Sequence, residues 1–140
     1  MVAKTKSFIR ALNGEAIINE GYKEASREQI MLLPDADGYA PNTMLAKYSG
    51  TDADKVGKWG KFDPAVTTLN VCKGYLYESR SGEGDKPIRA VALVRGARLN
   101  GKKVFWDTAT PITGPQIAAA IAQLKAIDTT NNYGGIEVGY

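Results

Sequence analysis

Four aspartates in two short loops, Asp35 with Asp37 and Asp52 with Asp54, are the first residues whose types could do chemistry. Loop carboxylates hold calcium, but these do not have the spacing of an EF-hand loop. The plainer reading is turn formation, because an Asp side chain bonds backbone two residues further on. Cys72 is the only thiol and there is no histidine. Neither the Ser-His-Asp nor the Cys-His form of nucleophilic catalysis can then be built. A zinc site fails on ligand count, and a single Cys closes no internal disulfide. Cys72 reads as a small buried hydrophobe, with a disulfide to another chain as the alternative. No pair of carboxylates is singled out for hydrolysis. The expectation is a protein that is not an enzyme and needs no cofactor or metal.

A second group could bind rather than react. Trp59, Phe62, Tyr75, Tyr77, Phe105 and Trp106 are interleaved with Lys58, Lys61, Lys73, Lys102 and Lys103. Aromatics and cations on strands describe a small OB-like face for single-stranded nucleic acid. They equally describe aromatics that fill a core and a subunit interface. Arg89, Arg95, Arg98, Lys102 and Lys103 lie in a stretch without acids, 87–106. This is either a basic surface or a solvated face opposite buried Val and Leu. The net charge of +3 is too small to indicate nucleic acid by itself.

The elements that must carry these residues fit one domain in 140 residues, with 44% apolar and 24% charged side chains. No run nears the roughly 20 apolar residues of a membrane span. Arg10, Asn13 and Glu15 interrupt any apolar stretch after Lys4 and Lys6, which predicts no secretory signal and a soluble protein made in a cytoplasm. Residues 1–24, with Phe8, Ile9, Leu12, Ile17 and Ile18, read as an N-terminal arm; the alternative is a first strand and turn of the body. Strands are predicted over 27–33, 43–48, 58–62, 69–77 and 88–95, cut by turn residues such as Pro34-Asp35 and by Asp63-Pro64. In 69–77, Val71, Lys73, Tyr75 and Tyr77 share one face at period two, and Cys72, Gly74 and Leu76 the other. Asn100-Gly101 predicts a hairpin, with 102–106 as the returning strand.

A single helix is predicted over 115–127, with Pro115 in its first turn and Thr113 or Gly114 as cap. Ile117, Ile121, Leu124 and Ile127 form its apolar stripe; Gln123 lies off it and should tolerate truncation. After Asp128 the chain is polar, and Ile136, Val138 and Tyr140 alternate like an added strand or a docking tail. The fold class is thus mostly β with one C-terminal amphipathic helix, an α+β domain. Its parts are an arm (1–24), a core (25–127) and a tail (128–140).

Five segments, in order, resemble the lambda-type bacteriophage head decoration family. Asn42-Thr43-Met44-Leu45-Ala46-Lys47 is similar to that family's Gly-Thr-Val-Leu-Gly-Lys strand. Gly57 to Ala65 resembles its Lys-Tyr-x-x-Tyr-Asp-Pro-Ala segment, through Asp63-Pro64-Ala65. Gly74-Tyr75-Leu76-Tyr77-Glu78 is similar to Gly-Ile-Leu-Tyr-Glu, and Ala90 to Ala97 to Val-x-Val-Arg-Gly. Ile117 to Ile127 resembles the alanine-rich helix. The likeness spans roughly residues 25–127; the first 24 and last 13 lie beyond it. It implies a compact β-tulip-like domain with extended N- and C-terminal arms. It also implies homotrimers on the outer surface of an expanded phage head, made in the host bacterial cytoplasm. The partners implied are the major capsid protein and the chain itself, with no membrane and no direct nucleic acid. The N-terminal segment, with Phe8, Ile9, Leu12, Ile17 and Ile18, would touch the capsid. No catalytic, cofactor or metal residues are implied.

Overall fold

Short runs of strand-forming residues separated by Pro, Asp and Gly favour β structure over long helices. The computed structural model describes residues 13–21, 26–82, 84–127 and 134–140. In chain order these hold β1 (Ile17–Glu20), β2 (Arg27–Leu32), β3 (Met44–Lys47), β4 (Trp59–Lys61) and β5 (Cys72–Leu76). They continue with β6 (Ile88–Leu93), β7 (Ala97–Asn100), α1 (Gly114–Lys125) and β8 (Ile136–Gly139). The protein is mostly β, with one helix among the described residues.

Five strands close into a barrel in the order β2-β4-β3-β5-β6, and β1-β7-β8 form a separate sheet. Ile30, Leu32, Leu45, Trp59, Leu76, Ala90, Ala92 and Val94 make one buried cluster, the inward side of the barrel strands. A barrel this narrow has room for few large side chains. Trp59 fits because Gly74 faces it: a Cβ there would lie 3.1 Å from the Trp59 ring and 3.1 Å from the Leu93 carbonyl oxygen.

The second core lies on the outer wall of β3, β5 and β6. Met44, Ala46, Cys72, Tyr75 and Leu93 pack there with Ala97, Leu99 and Ile136 of the small sheet and Ala120 and Leu124 of α1. Cys72 and Tyr75 share this side, which corrects the period-two assignment that put them on opposite faces. The cause is a bulge. Met44 pairs with Tyr75 and Leu45 with Gly74, but Ala46 pairs with Cys72, leaving Lys73 as the extra residue. One inserted residue reverses the parity of everything upstream of it.

The predicted hairpin at Asn100-Gly101 does not form. A turn is present, with Lys103 N–H donating to the Asn100 carbonyl at 3.0 Å, but both edges of β7 are already taken. β1 pairs antiparallel on one side and β8 parallel on the other. Asn100 N–H donates to Ala16 O, and Gly101 N–H to Gly139 O. The chain instead runs on to Phe105, which bridges to Thr43 in parallel. Between β6 and β7, Gly96 has φ of 57° and turns the chain into the other sheet.

Residues 13–21 belong to the body, as the strand-and-turn reading of this region has it: Ala16 is fully buried and β1 is hydrogen-bonded to β7. At the other end, Ile136 is buried and β8 is an added strand. Helix α1 starts where expected. Thr113 is the N-cap, its hydroxyl accepting from Gln116 N–H while the Gln116 side chain accepts from Thr113 N–H, which satisfies two of the exposed donors at the helix start. Its inward face takes in the predicted stripe, Ile127 packing on the second core, while Ala118, Ala119 and Ala122 are exposed on the other side. Ala120 and Leu124 are buried, whereas Ile117 and Ile121 are half-buried. Gln123 is also turned inward, its Oε1 accepting the Cys72 N–H at 2.7 Å, so the expectation that it projects idly is corrected.

Candidate binding surfaces

The sequence-predicted chemistry disperses once the chain is folded. Asp35 and Asp52 do turn work: Asp37 N–H donates to Asp35 Oδ1 at 2.9 Å and Asp54 N–H to Asp52 Oδ1 at 3.0 Å. Among the described residues no group of three His, Cys, Asp or Glu could hold a metal ion. Cys72 is fully buried, and burial pushes its thiol well above the usual range.

Of the aromatics, Trp59, Phe62 and Tyr75 are buried, and Tyr77, Phe105 and Trp106 half-buried. Phe62 and Trp106 meet edge to face, 5.9 Å between centroids. They are core residues rather than a row of open faces for bases. The interleaved lysines are partly committed too. Lys61 sits between Asp35 at 2.9 Å and Asp107 at 3.1 Å, above the Tyr39 ring. The acid-free stretch meets acids from distant strands: Arg95 pairs with Glu28, Arg98 with Glu137 and Lys103 with Glu15. No single basic face results from it.

Of the proposed partner-contacting residues, Phe8, Ile9 and Leu12 lie outside the described residues. Ile17 packs against the second core. Ile18 is 59% exposed at a β1 irregularity; the two neighbours therefore serve opposite environments.

Two polar devices escape the sequence. Asn42 is 2% exposed with φ of 70°, the left-handed region. Its Oδ1 accepts from the Tyr75 hydroxyl and from Ala16 N–H at 3.3 Å. Its own N–H donates to Leu76 O, and its carbonyl accepts from Phe105 N–H. One residue thus ties β5, the segment before β1 and the bridge at Phe105. Asn next to Thr before an apolar run is the faint signal that could have pointed there, since Asn tolerates the left-handed region better than most residues. The second device is Arg27, bonded by two nitrogens to Glu20 at 2.6 and 2.8 Å and lying 4.7 Å from the Tyr77 ring centroid. The Glu20 hydrogen bond and charge raise its already high pKa.

A concave surface lies at one mouth of the barrel. A hollow of about 590 Å³ is lined by Lys47, Trp59, Val71, Lys73, Gln123 and Ile127, among others. It adjoins one of about 410 Å³ lined by Gln29, Met31, Gly57 and Arg89, and the two share Glu28, Lys47 and Trp59. Met31 and Val71 are 36% and 40% exposed there. No family model, curated protein or solved structure matches this chain. No helix among the described residues is long and apolar enough to cross a membrane.

Proposed function

We propose that this chain is a capsid decoration, or cement, protein of a tailed bacteriophage. It binds the outside of the expanded head as a homotrimer and stabilises the shell against internal DNA pressure. The carrying observation is that the family-like segments fall where each motif residue has a physical job. Asn42 stands where the family pattern has Gly, and its φ of 70° suits Gly or Asn. Gly74 gives Trp59 its space. Asp63 closes the Asp-Pro-Ala turn, Oδ1 accepting from Ala65 N–H and Oδ2 from Ala109 N–H. Gly96 turns the chain out of β6. On this reading the domain is β-tulip-like, and the segment 1–12, with Phe8, Ile9 and Leu12, contacts the major capsid protein, with Ile18 at its margin. A trimer engages the shell three times, and avidity of this kind exceeds single-site affinity by ~10²–10⁴. A ligand of the intact shell alone stabilises it by about 2.7 kcal/mol per site at a hundredfold excess over Kd.

The competing reading, an OB-like single-strand binder, draws on the five-stranded barrel. It lacks a stacking platform, given the burial of Trp59, Phe62 and Tyr75. Cryo-electron microscopy of the parent virion is the test. Three-fold density outside the shell that fits this chain is expected; three-fold density belonging to another protein overturns the proposal. Filter binding with single-stranded DNA at low and moderate salt checks the competitor.

A further inference from the structure

We propose that the barrel mouth beside β2 is a docking groove for an extended, acidic and apolar segment of a partner protein, which adds to β2 as an extra strand. The inference is separate from the capsid reading, since strand docking needs only an edge, a hollow and a charge. The edge comes from the way the barrel closes. β2 pairs with β6 along its whole length, but with β4 only at Leu32 opposite Trp59, extended by Leu33 N–H donating to Trp59 O at 2.6 Å. Upstream of Leu32 no strand of the described residues pairs with β2 on this side, and the chain before Trp59 forms a turn. Tyr48 N–H donates to Lys58 O and Lys58 N–H to Lys55 O.

The antiparallel ladder says which backbone groups face the gap. Val94 N–H donates to Ser26 O, so hydrogen-bonded pairs recur at every second residue: 28 with 92, 30 with 90. Gln29 and the Met31 N–H therefore point away from β6, into the hollow of about 410 Å³ that their side chains line. An open row of backbone donors and acceptors is the element that strand addition uses.

The lining selects the occupant. Met31 lines one hollow and Val71 the other, and both offer exposed apolar surface. Lys47, Lys73 and Arg89 border the two hollows, and none of the described ion pairs takes them up; the acid there, Glu28, is matched by Arg95. The excess charge is positive. The chain's own first twelve residues carry Lys4, Lys6 and Arg10 and no acid, so like charge opposes their docking here from a second copy.

The probe is a synthetic peptide alternating glutamate and valine, titrated into isotope-labelled full-length protein and followed by amide shifts and hydrogen exchange. Shifts confined to the region of Gln29, Met31, Gly57 and Trp59, with new protection of the Gln29 and Met31 amides, are expected. Raising salt should weaken binding. The pair K73E and R89E should weaken it on the order of tenfold, as for charges at an interface. A lysine–valine peptide of equal length should not bind, and N-methylation of alternate peptide amides should abolish binding without touching the protein. Equal binding of the acidic and basic peptides, retained binding after N-methylation in both registers, or no added protection at Gln29 and Met31 would each overturn the proposal.

Discussion

The barrel has two unlike sides. The wall of β3 and β5 is sealed: α1 and the β1-β7-β8 sheet cover it, Asn42 and Gln123 bond across the layers, and Cys72 and Tyr75 are fully buried. The seam between β2 and β4 is held by one residue pair and opens onto a groove with exposed Met31. Both sides are built from the same short strands, so the difference is one of cover. A second layer makes each residue of the first wall answer to neighbours on both faces. Among the described residues no second layer covers the seam, and its outward residues Met31 and Gln29 face the groove.

The largest effect should come where the two sides meet. Trp59→Ala empties the barrel interior and removes the wall of both hollows, and should cost about 3–5 kcal/mol, read by urea unfolding. A loss no greater than that at an exposed residue would mean the interior is not what holds the seam. On the sealed side, Leu124→Ala should cost about 2–5 kcal/mol, as for a fully buried aliphatic residue. Ile121→Ala, at a half-buried position, should cost clearly less. Equal losses in a denaturant series would mean that the two positions of the stripe are buried alike.

Asn42→Gly keeps the backbone free to adopt its φ but strips the acceptor from the Tyr75 hydroxyl and Ala16 N–H. A loss of about 1–3 kcal/mol is expected, the penalty for buried polar groups left unmet. Increased hydrogen exchange at Ala16 in this variant would locate the damage at the join of the layers.

The buried thiol adds a pH signature. Burial raises the Cys72 pKa in the folded state, so folding favours the neutral thiol. Its contribution is whole below the unfolded value of about 8.5 and is lost as pH rises beyond it toward the folded value. Tyr39 and Tyr75, also raised by burial, extend the loss above about pH 10. Denaturant midpoints stepped through alkali should fall from about pH 8.5, with a limiting slope of roughly 1.4 kcal/mol per unit for one group. Cys72→Ala should flatten the first part of that fall. An unchanged slope would mean the thiol does not feel its burial. The smallest effect belongs to the open side: Gln29→Ala and Met31→Gln should each stay within about 0.5 kcal/mol of the parent, as surface changes do.

What the sequence determined by itself was local. Alternation and Pro or Gly punctuation located β2 through β6, and Thr113, Pro115 and Gln116 marked the helix start, because caps and turns depend on residues a few positions apart. The absence of histidine ruled out its chemistry without any coordinates. Whatever depended on distant partners was decided by the tertiary structure. Asn100-Gly101 carries a turn signal, yet its hairpin fails because β1 and β8 already occupy both edges of β7. Lys73 becomes a bulge only against β3, and that single residue moves Cys72 to the side of Tyr75. Arg95, Arg98 and Lys103 look like one basic run in the chain and are answered by Glu28, Glu137 and Glu15 across the sheets. The inward face of α1 takes in Ala120 and Gln123 beside the stripe residue Leu124, and Gln123 accepts the Cys72 N–H of β5, a partner no helical period could name. Side-chain periodicity states which residues can share a face; only the neighbouring strand or helix, with its register and its unmet hydrogen bonds, decides which face is buried.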